Sequence, residues 1–267
     1  MLLQPRYNIA ENQPLEALLN IITFVKRVPS TTANVVITEN QLNPEGVEFV
    51  LNPYDEYAVE EALAIKEAAG EGSVTAISLG AGEAQKELRT VLAMGADAAV
   101  LLASPLAPAA DGATTARALA AAVKGREFDL LLFGKQAVDR DQHGVGPAVA
   151  TLLGVPCITE VVKLSVADGK VIAEREVEGA RETIEASLPC AITCQKGLNT
   201  PRFASLRGIM AAKKKPMEVI DVDLGTAAVE VVAMNMPPAR PAGRILGEGA
   251  AAVPELVAAL RNESKVL

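Results

Sequence analysis

The chain has 267 residues, 50% hydrophobic, with 3% aromatic and no Trp. That is enough apolar material for one large α/β domain, or one domain with an appendage, and it excludes global disorder. A formal charge of −8 argues against nucleic acid as a partner, because phosphate neutralisation needs a basic surface. No apolar run reaches the length of a bilayer span, so no membrane insertion is expected.

Residues 1–19 read as an N-terminal arm. They have no continuous apolar core and carry Glu11 and Glu16 against Arg6, unlike a signal peptide or a mitochondrial presequence. The three cysteines, Cys157, Cys190 and Cys194, cannot all pair internally. A reduced, cytoplasmic setting follows as the expectation.

Over 20–155, strand and helix patterns alternate. A strand is predicted over 21–25. A second, 47–51, leads into Asn52-Pro53, where Asn can cap and Pro suits the first helical turn. The helix should run over 54–69 and stop at Gly70. Strand 74–79, helix 83–94, strand 98–102, helix 114–123, strand 128–133 and helix 146–153 follow. Continuously apolar strands separated by helices predict a doubly wound, mostly parallel sheet covered on both faces. Ligands then sit beyond the carboxyl ends of the strands, at a switch point in strand order. The candidate loops are 24–31, 52–55, 79–82 and 134–145.

The last of these is the most informative. Phe133-Gly-Lys-Gln-Ala-Val-Asp-Arg-Asp-Gln-His-Gly-Val-Gly-Pro147 closes a strand, makes a polar glycine-bearing loop and opens a helix. Unpaired N–H groups and the helix dipole make such a start a cradle for a nucleotide phosphate. An ordinary βα loop with acidic caps fits the same residues. Gly80-Ala-Gly82 alone is a weak signal, more often a tight turn.

Beyond residue 155 the pattern changes. Segments 159–166 and 171–177 read as a hairpin around Asp168-Gly169, with further strand character over 183–188 and 191–194. Cys190 and Cys194 read as small core residues. Segment 195–216 mixes Leu198, Phe203, Leu206, Ile209 and Met210 with Arg202, Arg207 and Lys213 to Lys215. It is either an amphipathic helix with a solvated basic end or a protruding element that docks a partner. Segments 219–222 and 227–233 are strand-like. Pro237-Pro238, Pro241 and Gly243 and a short helix over 254–260 form a C-terminal arm, 234–267, too thin for a domain and suited to wrapping another subunit.

Catalytic chemistry is not visible. His143 is the sole histidine, and there is no Gly-x-Ser-x-Gly elbow and no phosphate loop ending in Gly-Lys-Ser/Thr. The pairs Asp139/Asp141 and Glu174/Glu176 allow acid–base work, and Asp139/Asp141 metal work as well. For the first pair, capping or ribose contact is the competing role. From residues alone, the chain is an α/β adenine-nucleotide binder with an extended docking element.

Several blocks resemble the β subunit of electron transfer flavoproteins. They are Val25-Lys-Arg27, Asn52-Pro-Tyr-Asp-Glu-Tyr-Ala-Val-Glu-Glu-Ala62, Leu88-Arg-Thr-Val-Leu-Ala-Met-Gly-Ala-Asp97, Gly134-Lys-Gln-Ala-Val-Asp139 with Val145-Gly-Pro147, Glu174-Arg-Glu176 through Pro189, and Leu198-Asn-Thr-Pro-Arg202 through Lys213-Lys-Lys215. The resemblance spans about 20–250. It implies a Rossmann-like sheet of the adenine nucleotide alpha hydrolase type spanning 20–233, with a β-hairpin extension, a recognition loop at 194–216 and the C-terminal arm. It also implies a heterodimer with an α subunit, where FAD held mostly by α carries electrons between acyl-CoA-type dehydrogenases and a quinone-linked or other acceptor, while β buries a structural AMP. Carried over by position, the AMP contacts are Phe24, Asn52, Pro53, Tyr54, Asp55, Leu79, Gly134, Lys135, Gln136, Ala137, Val138, Asp139, Arg140, Asp141, Gln142, His143, Gly144 and Val145. Arg175 and Glu176 look toward the flavin, and Leu206 anchors the partner dehydrogenase. There are departures. Arg140 stands where many relatives have Gly, Gly144 where they have Gln, and Ala180 where an acidic residue or Gly is usual. Val28-Pro-Ser-Thr31 is closer to relatives that hold a second FAD in β and bifurcate electrons from NADH. AMP and a second FAD therefore both stand as expectations for the β site, and a non-redox adenylate-binding regulator is the third reading.

Overall fold

The computed structural model describes residues 19–239 and 242–267. The N-terminal arm, apart from Leu19, and Pro241 of the expected tail lie outside the described residues.

Nine strands form one sheet: β1 Asn20–Phe24, β2 Ser73–Gly80, β3 Ala98–Ala103, β4 Leu130–Gly134, β5 Cys157–Ala167, β6 Lys170–Val177, β7 Ala180–Ser187, β8 Cys190–Cys194 and β9 Met217–Asp221. Their spatial order is β7-β6-β5-β8-β4-β1-β2-β3-β9. The five pairings from β5-β8 across to β3 are parallel, as is β3-β9, and only the β5-β6-β7 meander is antiparallel. The helices are α1 Pro53–Ala69, α2 Gln85–Met94, α3 Gly112–Val123, α4 Val145–Leu153, α5 Leu206–Ala212 and α6 Val253–Asn262. The doubly wound, mostly parallel sheet with a hairpin extension is the expected architecture.

Period-two alternation decides which helix covers which face. Ile21, Leu130, Leu132, Cys190 and Ile192 pack with α1 and α2 through Ala58, Ala62, Leu88 and Leu92. Their neighbours Ile22, Phe24, Leu131 and Phe133 pack on the other side against Leu119, Val123 and Val149 of α3 and α4. With so few aromatics, Ala-rich helix faces let the layers approach closely. Cys190 and Cys194 are buried, free thiols in the first of these clusters, and burial pushes the Cys190 thiol up to about 12. They are core residues.

Two local readings differ. The helix expected from residue 83 begins as a 3-10 turn, Gly82–Ala84, before α2 proper. The strand expected over 227–233 does not form. There the N–H groups of Ala228 and Val229 donate to the Asp111 carboxylate, at 2.7 and 3.3 Å, in place of a neighbouring strand.

Residues 36–42 and 233–267 make a second compact unit. Within it, Ile37–Thr38 and Gln41–Leu42 form a minimal ribbon, turned at Glu39 and Asn40 with φ of 51° and 60°. Arg244 pairs with Glu263 at 2.6 Å beyond α6. Among the described residues no helix is long and apolar enough to cross a membrane.

Candidate nucleotide site

After β1 the chain builds β2 and β3 to one side, then returns to place β4 on the other flank of β1. The carboxyl ends of β1 and β4 are therefore the topological switch point, where connections leave in opposite directions and a crevice must open. A cleft of about 120 Å³ lies there, room for on the order of ten waters. Its floor is apolar: Phe24, Ile77, Leu79, Leu119 and Phe133. The Phe24 and Phe133 rings stack at 4.1 Å with 5° between planes. Its rim is polar: Lys26, Lys135, Gln136, Arg140 and Gln142.

The rim loop is fixed from below by one side chain. Asn52 occupies the N-cap position of α1, yet its amide makes no cap hydrogen bond, contrary to the capping role expected from sequence. Its Nδ2 donates to the Gln136 carbonyl at 2.8 Å and to Asp55 Oδ1 at 2.9 Å, while its Oδ1 accepts from the Val138 N–H at 3.1 Å. The fully buried amide thus grips the β4–α4 loop as a neighbouring strand would. Asp55 completes the joint: Oδ2 accepts from the Lys26 N–H at 2.7 Å. Burial pushes its carboxyl above the ordinary 3.8 to about 7, against the pull of the Asn52, Lys26 and Gly134 donors. Gly134 belongs to this joint because an added Cβ would meet the Asp55 carboxylate, the Tyr54 carbonyl carbon at 2.7 Å and the Asp55 nitrogen at 2.8 Å.

Two helix starts meet the cleft, through Gly112 and Thr115 of α3 and Val145 and Gly146 of α4. They differ in one respect. The start of α3 is capped by Asp111, whose Oδ1 accepts from the Thr114 N–H at 2.8 Å. The start of α4 follows Gly144 with no side-chain cap, so its first N–H groups, which have no partner inside the helix, are left for an anion. Pro147 at the third helical position lacks an N–H, leaving Val145 and Gly146, both on the cleft wall.

The Asp111 joint also yields a test. Four donors, Thr114 N–H and Oγ1, Ala228 N–H and Val229 N–H, hold its carboxyl well below the usual range. Its contribution is present above the ordinary carboxyl pKa and is lost only as pH falls through the depressed one. Asp111→Ala should therefore lower the thermal midpoint equally at pH 5 and pH 7 and speed amide exchange at Ala228 and Val229. A deficit that shrinks between pH 7 and pH 5 would contradict this account.

Of the residues expected to contact nucleotide, Phe24, Asp55, Leu79, Gly134, Lys135, Gln136, Ala137, Arg140, Gln142 and Val145 line the cleft. Others build its walls. Pro53 starts α1, Tyr54 lies under Lys135 Nζ at 5.2 Å from the ring centroid, and Val138 is held by Asn52. Asp139 pairs with Lys26 at 2.6 Å. Asp141, at φ 48°, accepts from Gln136. Gly144 occupies the N-cap position of α4, and His143 turns to Glu160, with Nδ1 at 3.4 Å. Arg175 and Glu176 lie elsewhere, on β6. Arg175 bonds Glu182 at 2.7 Å and Thr159 at 3.0 Å, and Glu176 bonds Arg181 at 2.9 Å. Glu176 borders a separate polar hollow with Lys163, Glu174, Arg181 and Lys196. Leu206 opens α5 and is 84% exposed beside Phe203 at 98%.

The wall from Ala107 to Gly112, with Thr115 and Leu119, was not among the expected contacts. One signal could have found it. The β3–α3 connection is a further loop leaving the same sheet edge, so the switch-point rule applies to it as to the others.

Comparison with known proteins agrees with this architecture. The Electron transfer flavoprotein domain family matches residues 40–224. The electron transfer flavoprotein subunit beta of Bacillus subtilis (strain 168) is 43% identical over 258 residues, covering 93% of this chain and 100% of the relative. The mouse protein of the same name is 37% identical over 241 residues, covering 88% and 92%. That of Megasphaera elsdenii is 36% identical over 247 residues, covering 85% and 91%. The sheet, the switch-point cleft and the extended similarity lead to one assignment: the chain belongs to the electron transfer flavoprotein family, as a β subunit.

Proposed function

We propose that this chain pairs with an α subunit to form a soluble electron carrier, with FAD held mainly by α and AMP held in the β cleft as a structural ligand. Electrons pass from acyl-CoA-type dehydrogenases to a quinone-linked or other acceptor. The observation that carries the AMP assignment is the cleft itself, with an apolar floor for a base and an uncapped helix start and basic rim for a phosphate. The close approaches at Gly134 and Gly146, where a Cβ would strike Asp55 and Thr193, pack β4 against α1 and α4 against β8 beside that space. FAD would supply the redox chemistry. The residues of this chain bind, orient and dock. Arg175 and Glu176 on β6 face the flavin, the 194–216 segment docks the dehydrogenase through Leu206, and the 234–267 arm wraps α.

Denaturing the purified heterodimer and identifying what it releases tests this. One FAD and one AMP per heterodimer is the expected count. Two FAD would replace the reading by a bifurcating oxidoreductase that takes electrons from NADH, and a chain that folds and works without any flavoprotein partner would make it a non-redox adenylate regulator. For docking, Leu206→Ala removes an exposed side chain whose burial in a partner is worth about 1.5–3 kcal/mol. Electron transfer from dehydrogenase should slow by roughly tenfold or more, with flavin content unchanged. Unaltered kinetics would remove Leu206 from the docking surface.

A further inference from the structure

Arg140 stands on the cleft rim with its guanidinium spread across to the opposite wall. Nη1 donates to the Ala110 carbonyl and Nη2 to the Pro108 carbonyl, each at 2.7 Å. Among the described residues it makes no ion pair. Both ends of this bridge are stiff. On its own side the Ala137 carbonyl accepts from the N–H groups of Arg140 and Asp141, at 3.2 and 2.9 Å, and Asn52 pins the same loop at Gln136 and Val138. On the far side Pro108 sits within the 3-10 turn Ala107–Ala109, closed by Ala107 N–H to Ser104 and Ala110 N–H to Ala107, at 3.2 and 3.1 Å. One side chain therefore joins the loop after β4 to the loop after β3 over the cleft between them.

We infer that Arg140 is a latch that retains a nucleoside monophosphate in the cleft and excludes longer nucleotides. The inference rests on reading the cleft as an adenosine-phosphate site. The apolar floor takes the base and the start of α4 takes the phosphate, which leaves the ligand's charged end beneath the rim. A monophosphate ends there. A second phosphate, or a second nucleotide half, must continue outward where the Arg140 fork crosses to Pro108 and Ala110. The planar fork is what the geometry requires. It reaches two carbonyls through two nitrogens set apart in one rigid plane, whereas a lysine on a shorter, flexible stem must bring a single nitrogen within reach of both.

Exchange of bound AMP for isotope-labelled AMP in the heterodimer, followed by capture from an equimolar AMP and ADP mixture, tests the latch. Arg140→Ala and Arg140→Lys should both exchange about tenfold faster than the unaltered protein, the order expected for two lost hydrogen bonds. Both should also raise the ADP-to-AMP ratio captured. Wild-type exchange and selectivity in both variants would overturn the inference. So would Arg140→Lys behaving as wild type, since charge alone would then suffice. Failure of the underlying reading looks different: unaltered heterodimer that carries no AMP and captures none defeats the site itself, whatever the variants do.

Discussion

Asn52→Ala should empty the cleft and destabilise the fold more at pH 8 than at pH 5. The substitution removes the hydrogen bonds to Gln136, Val138 and Asp55 together, and the residue is fully buried, so water does not replace them at no cost. Leaving such groups unpaired costs about 1–3 kcal/mol each, and a total loss of about 2–4 kcal/mol allows for relaxation of the loop. The pH dependence comes from Asp55. Its folded pKa, about 7 against an ordinary 3.8, means that the folded state holds a proton the unfolded state has released between those values. Stability from this group is therefore complete below pH 3.8, declines as pH rises toward 7 and reaches its lowest value above it. The Asn52 amide opposes the shift by bonding the carboxylate form. Removing it raises the folded pKa further and carries the decline to higher pH. Urea denaturation of both proteins at pH 5 and pH 8 checks this, with bound nucleotide measured in parallel. An equal deficit at the two pH values would show that Asp55 does not depend on Asn52. Retained nucleotide would show that the β4–α4 loop keeps its shape without that grip.

That joint also shows where sequence reasoning stops. Asn52-Pro53 is legible as a helix start, and Pro53 does occupy the first turn of α1. What the amide of Asn52 does is not legible, because its partners Gln136 and Val138 lie more than eighty positions away and only the fold brings them near. The sheet is a different case. Apolar runs such as Leu130–Gly134, alternating with helices, carry the layer architecture in local pattern, and the strand order makes the edge of β1 and β4 the place for a ligand. The failed strand over 227–233 traces to the Asp111 carboxylate. It caps α3 and binds the backbone of Ala228 and Val229, so it replaces a ladder that local β-propensity suggests. Arg140 belongs to the same class: a charged loop residue reads as solvated, and only the carbonyls of Pro108 and Ala110 give it a structural partner.

Arg202→Ala should slow electron transfer with dehydrogenase about as much as loss of Leu206, while leaving flavin and nucleotide content intact. The proposed docking knob, Phe203 and Leu206, projects into solvent and has little packing of its own. Its orientation comes from the residues that precede it. Arg202 places Nε and Nη2 on Glu60 at 2.8 and 2.9 Å, and its backbone N–H donates to the same carboxylate at 3.0 Å. The guanidinium also bonds Glu67, and Asn199 adds bonds to Glu61 and the Tyr57 carbonyl at 2.9 and 3.0 Å. All these partners lie on α1, so the knob is mounted on the helix whose first turn frames the switch-point cleft. Alanine at 202 leaves the Glu60 carboxylate buried with only the backbone donor. With the guanidinium one-third exposed, the stability cost is about 1–3 kcal/mol, below that of a fully buried pair. The larger effect is on docking. A segment that must be ordered on binding adds its conformational entropy to the association step, about 1–2 kcal/mol per backbone residue fixed. A few residues freed before Leu206 then account for a tenfold or greater fall in kcat/KM for the dehydrogenase-dependent reaction. Arg202→Lys should recover little of it, because one ammonium cannot bridge Glu60 and Glu67 in the planar geometry observed. Amide exchange across 198–212 reads the loosening directly. If exchange there accelerates while electron transfer is unchanged, the orientation of the knob does not matter, and the Arg202 clamp serves α1 alone.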